Sequence, residues 1–268
     1  MCRKLLLAAG ATIALLAGVQ PATAQGFDLT VFVGRAYPIY DERLTLRPSS
    51  PSLPGVDISV AGSPVLRAQG GAVFGAALAL ELGVFGIEGR LDATEVGLDF
   101  TGAQYDLRGT QPPFQDLTAT ILASAGRFDA DRISLLSLNA RIRTPGPVGV
   151  VASGGLSYLP DIRITGTLPL TLQAPGLPVL PGFNPGLTLR ATPGQSGHRL
   201  GINGGAGVRV GGRVAIMGEA RAFYFREYEL RFGIDDGQEL LDDLLAGVAP
   251  VRFRPIFVNA QVGVVFRF

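Results

Sequence analysis

The sequence is poor in the residues on which most enzymes and metal sites depend. Its 268 residues include one cysteine and one histidine, and no tryptophan. The cysteine is Cys2, so the chain beyond the first few residues has no thiolate nucleophile, no disulfide and no cysteine metal site. Lys and Arg number 23 against 22 Asp and Glu, and this near balance gives no basic surface that would predict nucleic-acid binding.

Residues 1–24 have the layout of a secretory signal peptide. A short basic region precedes an apolar run, and the small residues Ala22 to Ala24 provide a cleavage site. The run is shorter than the roughly 20 apolar residues that a membrane-spanning helix needs. A lipid anchor would require a cysteine directly after the small residues, but Cys2 lies ahead of the run. We therefore predict export, cleavage after Ala24, and one domain over residues 25–268.

Eight segments of this domain alternate between apolar and polar side chains. Successive side chains of a β-strand point to opposite faces, so alternation indicates half-buried strands. The most apolar window is broken by Glu81 and by glycines, and it also alternates, so it predicts a strand rather than a membrane helix. The predicted strand segments are 27–34, the window 70–89, 87–98, 132–143, 148–158, 198–210, 213–227 and 257–268.

The connections between these segments alternate between short and long. Residues 83–86, 144–147 and 211–212 are rich in Gly and Pro, which predicts tight hairpin turns. The long connections run over about 37–70, 100–131, 160–197 and 232–250. An up-and-down antiparallel sheet would therefore have its tight turns at one end and its long loops at the other.

This asymmetry is typical of outer-membrane β-barrels, which have an even number of strands, short periplasmic turns and longer outer loops. We predict an all-β, eight-stranded antiparallel transmembrane barrel in the outer membrane, with apolar side chains facing lipid and polar ones facing inward. Eight strands enclose a space that side chains can fill, so we expect an ion-paired interior closed to sizeable solutes. The expected polar network of the lumen is Glu81, Glu88, Arg90, Asp92, Arg141, Arg143, Arg209, Glu219, Arg221 and Arg267.

The final strand carries a family resemblance. Val262, Val264, Phe266 and Phe268 alternate up to the last residue. The chain resembles small outer-membrane barrels of the OmpA/OmpX type, whose last strand ends in phenylalanine. The resemblance implies that these four residues are the signal read by the barrel-assembly machinery. We expect a monomer in outer-membrane lipid.

The chain departs from this family in two respects, its long Pro-rich loops and its lack of tryptophan for the aromatic girdles. Other aromatic residues near the predicted outer strand ends are expected to take that place. They are Tyr37, Tyr158, Tyr224, Tyr228, Phe253 and Phe257.

Three features of the sequence are weak candidates for a catalytic or binding site. His198 lies at the outer mouth of the sixth strand, where some eight-stranded barrels carry a His-Ser pair, but no serine follows on its face, which favours a solvated histidine. Gly201, Gly204, Gly205 and Gly207 resemble a phosphate loop without the helix that should follow, so they are better explained as room for bending or for interior bulk. The third candidate is the acidic group Asp235, Asp236, Glu239, Asp242 and Asp243.

That acidic group could hold a hard cation through its oxygens, but a solvated helical turn is the simpler interpretation. We predict no cofactor and no catalytic residue. A non-enzymatic barrel with a structural or surface-interaction role is the favoured function, with the partner of its loops unknown. The alternatives are a small channel or carrier for small or apolar solutes, as in OmpW-like barrels, a surface enzyme, and a soluble secreted barrel that binds a ligand inside.

Overall fold

The structure is a computed structural model that describes residues 25–39, 41–43, 56–61, 65–112, 115–116, 118–123, 125–130, 133–160, 162–167, 170–175, 180–183, 186–234 and 251–268. Eight antiparallel strands form a closed barrel, because each pairs with its neighbour along the barrel and the first pairs with the last. The predicted fold class is therefore confirmed. The barrel strands are β1 Gln25–Pro38, β2 Val65–Leu82, β3 Phe85–Phe100, β4 Ile133–Arg143, β5 Val148–Tyr158, β6 Leu200–Gly211, β7 Val214–Phe225 and β8 Ile256–Arg267.

The strands are staggered around the barrel. Each residue of a barrel strand has a register partner on the next strand. A path that starts at Tyr37 of β1 and moves from partner to partner, first to β8 and then around the barrel to β2, returns to β1 at Phe27, ten residues before Tyr37. Closing eight strands with such a stagger tilts them by about 40° to the barrel axis. At ~3.3 Å per residue, the ten-residue rise of β1 from Phe27 to Tyr37 then spans about 25 Å along that axis.

Three tight turns lie together at one end of the barrel, which we call the turn end. They join β2 to β3, β4 to β5 and β6 to β7, as the sequence predicted. Each contains a glycine with a positive φ: Gly83 at 72°, Gly146 at 108° and Gly211 at 136°. A side chain is strained in that conformation, so glycine is required where these hairpins reverse.

The opposite, loop end differs from the expectation of plain loops, because the long connections contain further strands. One group extends the barrel wall, and its inward residues Ile162 and Ile164 are buried, which gives these segments a core to pack on. A second group forms a separate five-stranded sheet. The wall extension consists of Asp41–Arg43, Gly126–Ala130, Ile162–Thr167, Gly186–Pro193, Tyr228–Ile234 and Val251–Phe253. The second sheet consists of Val56–Ala61, Ala103–Gly109, Thr118–Ala123, Leu170–Gln173 and Leu180–Phe183.

The predicted signal peptide and the acidic group at 235–243 lie outside the described residues. Within the described part of the chain there is no helix of the length and apolar character needed to cross a membrane.

Candidate functional site

The barrel has an apolar outer face and a polar inner face. Ile216 is 63 % exposed on the outside, whereas its neighbours on the opposite face of β7, Met217 and Glu219, are buried. The same division holds in β4, where Leu138 is 63 % exposed beside the buried Asn139. The structure places all ten residues of the expected lumen network on the inner face.

Five of those ten residues form a group halfway along the lumen, the middle cluster: Glu88, Arg90, Asp92, Glu219 and Arg221. Arg90 donates two hydrogen bonds to Asp92, of 2.8 and 3.0 Å, and a third of 3.0 Å to Glu219. Arg221 donates to Glu219 at 2.6 Å and to Glu88 at 3.2 Å. The two arginines thus tie three buried carboxylates together.

Neutral polar side chains complete the middle cluster. Arg221 also donates to Asn203 and to Ser153. Asn203 donates to Asn139 at 2.8 Å, and Asn139 donates to Glu88 at 2.9 Å. Gln261 donates to Glu219 at 2.8 Å. The predicted network contains only charged residues and therefore omits these uncharged ones, although the alternation of the sequence places Asn139, Asn203 and Gln261 on the polar face.

The other five network residues lie near the turn end and meet around Asp28, which sequence reasoning left out of the network. We call these six residues the turn-end cluster: Asp28, Glu81, Arg141, Arg143, Arg209 and Arg267. Asp28 accepts two hydrogen bonds of 2.9 Å from Arg267 and one of 3.2 Å from Arg209. Nε of Arg141 lies 3.4 Å from Oε1 of Glu81, and Nη1 of Arg141 lies 3.6 Å from Oε2 of Glu88. Arg141 therefore connects the two clusters.

The two clusters carry excess charge of opposite sign, and together they come close to neutrality, with six arginines against five carboxylates. The turn-end cluster has four arginines and two carboxylates, and the middle cluster has two arginines and three carboxylates. Removing such charges from water costs several kcal/mol per ion, so each depends on its partners remaining in place. The geometry suits a rigid filling for the barrel.

Glycines on the inner face leave space for the large polar and aromatic side chains. A Cβ at Gly205 would lie 2.4 Å from Oε1 of Glu219, and one at Gly201 would lie 2.4 Å from Cδ1 of Phe225. Gly204 faces outward, where the nearest atom would be 3.8 Å away. For Gly201 and Gly205, the interpretation as room for interior bulk is confirmed.

Above the middle cluster, the loop end of the lumen is apolar. Phe257 stacks on Phe223 with ring centres 4.8 Å apart, and on Phe225 at 6.2 Å. Tyr228 is fully buried and donates its hydroxyl to the carbonyl of Leu159 at 3.1 Å. This loop-end apolar cluster also contains Leu66, Leu98, Phe100, Phe128, Leu135, Ile162, Ile164 and Leu230.

The expected girdle role is therefore wrong for Tyr228, Phe253 and Phe257, which pack in this cluster. Phe253 keeps the inward phase of β8, to which Phe257 belongs, whereas the inward phase shifts by one residue between Phe225 and Tyr228, so all three aromatics face the core. Tyr37, Tyr158 and Tyr224 are exposed on the outer face, at the level where a girdle is expected.

A cavity of about 60 Å³ lies within the loop-end apolar cluster. It is lined mainly by apolar side chains of β1, β2, β3, β4, β8 and the wall extension, among them Ala68, Leu98, Ile133 and Phe253. An engineered apolar cavity of ~150 Å³ holds a benzene molecule, so the present cavity is too small for such a ligand without movement of its walls.

His198 lies on the outer surface at the loop end, where it lines a groove with Leu156, Leu200, Tyr224 and Arg226. The other described residues that line this groove are Gly201 and Ile202, so no serine is among its described lining. Among the described residues, no three His, Cys, Asp or Glu side chains are grouped so that they could hold a metal ion.

No family model and no curated protein matches the chain. Among solved structures, it is similar to the outer membrane protein OprG from Pseudomonas aeruginosa, with 11% identity, 93% of this chain and 99% of that chain covered, and a TM-score of 0.42. It is far less similar to OccAB4 from Acinetobacter baumannii, with 6% identity, coverage of 92% and 99%, and a TM-score of 0.11. Likenesses this weak leave the function to be argued from the geometry of the barrel.

Proposed function

We propose that this protein is a non-enzymatic, integral outer-membrane β-barrel that is closed to sizeable solutes and acts at the cell surface through the strands at its loop end. The turn end would face the periplasm and the loop end the exterior. The predicted signal peptide and the alternation up to Phe268 support export and assembly in that membrane.

The outer face supports insertion in a bilayer. Its exposed apolar side chains run from Phe27 at the turn end to the level of Tyr37 at the loop end. That span of about 25 Å equals the height of the apolar band on outer-membrane barrels. Every barrel strand also has two hydrogen-bonded neighbours, so no unpaired edge meets lipid within the barrel, which supports a monomer.

The observation that carries the proposal of a closed lumen is the contact between β3 and β7, which are opposite walls of an eight-stranded ring. Arg90 of β3 reaches Glu219 of β7, and Arg221 of β7 reaches Glu88 of β3. These hydrogen bonds cross the whole lumen. A hydrated solute would have to break them and leave buried charges unpaired.

Planar-bilayer recordings test this function. The wild-type protein should show no stable, large, porin-like conductance, whereas the double variant Arg90→Ser with Arg221→Ser should open a measurable pathway. Heat-modifiable gel mobility must show that both proteins are folded. Porin-like conductance of the wild type would overturn the proposal, and a folded but silent double variant would show that these arginines are not the barrier.

A second candidate function is the carriage of small apolar solutes, which the apolar cavity favours. Xenon is small enough to probe it, and its binding can be followed by ¹²⁹Xe NMR. Ala68→Phe should fill the cavity and abolish xenon binding, whereas Ala72→Phe on the exposed face of the same strand should not. Equal binding by both variants would contradict this candidate.

A further inference from the structure

We propose that the groove on the outer surface of β5, β6 and β7 binds a phosphorylated acyl lipid of the outer leaflet. The proposal rests on the membrane placement given above. The acyl chains would lie along the groove, and the phosphate would lie at its loop-end rim.

The floor of the groove is apolar and continuous with the lipid-facing band. Leu156, Ile202 and Tyr224 are cross-strand partners in register on three neighbouring strands. All three are exposed on the outer face, by 55 %, 59 % and 40 %. This row is part of the face that contacts the hydrocarbon of the membrane. We therefore expect an acyl chain of a lipid to occupy the groove.

The rim of the groove is basic. Arg226 and His198 line it, and the guanidinium of Arg254 lies 5.8 Å from the centre of the Tyr224 ring. Arg226 is two residues beyond Tyr224 on the same outward face, which places its backbone about 5 Å further toward the loop end. The phosphate of a lipid whose chains lie in the groove would be at that height.

The guanidinium groups of the rim suit a phosphate in chemistry as well as position. Arginine presents several N–H donors in a planar fork that matches phosphate oxygens. The carboxylate next to Arg226 in the sequence is that of Glu227, and its Oε1 lies 3.5 Å from Nε of Arg252. Within the described part of the chain, Arg226 makes no hydrogen bond or ion pair with another side chain. An exposed cation at this height is complementary to the phosphate of an anionic lipid headgroup.

Lipid binding to the folded protein in detergent tests the proposal by native mass spectrometry. The probe is dimyristoyl phosphatidic acid, compared with dimyristoylglycerol, which lacks the phosphate, and with inorganic phosphate, which lacks the chains. The double variant Arg226→Gln with Arg254→Gln should lose at least tenfold in affinity for phosphatidic acid. The control Arg213→Gln, an exposed arginine at the turn end of the same hairpin, should stay within twofold of wild type.

Three results would overturn the proposal: equal affinity of the double variant and the wild type, equal binding of dimyristoylglycerol, or displacement of phosphatidic acid by millimolar inorganic phosphate. Heat-modifiable mobility and insertion into phosphatidylcholine vesicles are measured on the same samples. Failure of insertion would count against the membrane barrel itself, whereas normal insertion with lost selectivity would count against the lipid site alone.

Discussion

The guanidinium carbon of Arg90 lies 4.0 Å from the centre of the Phe32 ring, so the buried cation is held on one side by an aromatic face and on the other by carboxylates. Phe32 is the one large aromatic ring on the inner face of β1, and it occupies the space beside Gly75 of β2. Cation–π contact of a desolvated arginine is worth about 2 kcal/mol. The glycine, the ring and the cation therefore form a single packing unit.

Gly75→Ala should destabilise the barrel, because the new Cβ would lie 2.1 Å from the carbonyl oxygen of Leu91 and 2.5 Å from the Phe32 ring. Overpacking of this kind costs about 1–3 kcal/mol. Gly89→Ala is the matched control, since no atom lies within 4 Å of its Cβ position. The midpoint of urea unfolding in lipid vesicles measures both. Equal midpoints for the two variants would contradict the packing described here.

Arg90→Met should be more damaging, because it leaves Asp92 and Glu219 buried with a missing partner. Removing one member of a buried pair costs about 3–5 kcal/mol. Adding Asp92→Asn to this variant should recover part of the loss, and Arg213→Met, at an exposed position, should change little. If the double variant unfolded as early as Arg90→Met alone, the loss would not come from the stranded carboxylate.

Leu138→Arg should destabilise the barrel through lipid exposure of the charge. Leu138 is at the middle of β4, and an arginine near the bilayer midplane costs about 2–4 kcal/mol. Val148→Arg is the control, because Val148 has the same 63 % exposure but lies at the turn end, where the cost falls to about 0–1 kcal/mol. Equal losses at the two positions would mean that this face does not contact a bilayer.

Deleting Phe268 should impair membrane assembly far more than export. Phe268 exchanges two backbone hydrogen bonds with Phe27, of 2.9 and 3.3 Å, and its side chain is 77 % exposed. The ring contributes little packing, but the deletion also removes the two backbone hydrogen bonds. Phe268→Leu keeps those bonds, so a loss of assembly in this variant as well would reflect recognition of the ring rather than stability. Normal amounts of the truncated protein in the outer membrane would contradict a role for Phe268 in the assembly signal.

The barrel could be predicted from the sequence because its periodicity is simple. In β5, the alternation from Val148 to Tyr158 gives the observed bounds without adjustment. Glycines at 83, 146 and 211 mark turns whose backbone only glycine adopts easily. The inner and outer faces follow from the same alternation. With a two-residue period, either the odd-numbered or the even-numbered residues of a strand face the interior, and the polar set identifies which.

The loop end could not be predicted in the same way. Segments such as Gly126–Ala130 are short, and their pairing with β3 depends on a register that tertiary packing selects. The inward orientation of the Phe257 side chain could not be predicted, because an aromatic residue near a strand end is equally compatible with an outer girdle and with an inner core. The role of Asp28 depends on arginines of three other strands, β4, β6 and β8. The local sequence around Asp28 does not indicate that these three strands bring their arginines together there.

The pairing of β1 with β8 determines when this chain can fold. The two strands lie at opposite ends of the domain, so their pairing has the greatest sequence separation of the barrel contacts, and contacts of high contact order are slow to form. Until β8 joins, β1 and β7 each present an unsatisfied edge to which a strand of another molecule can add. A chain with this topology must be kept from aggregating between its synthesis and its insertion, and closure of the barrel ends that exposure.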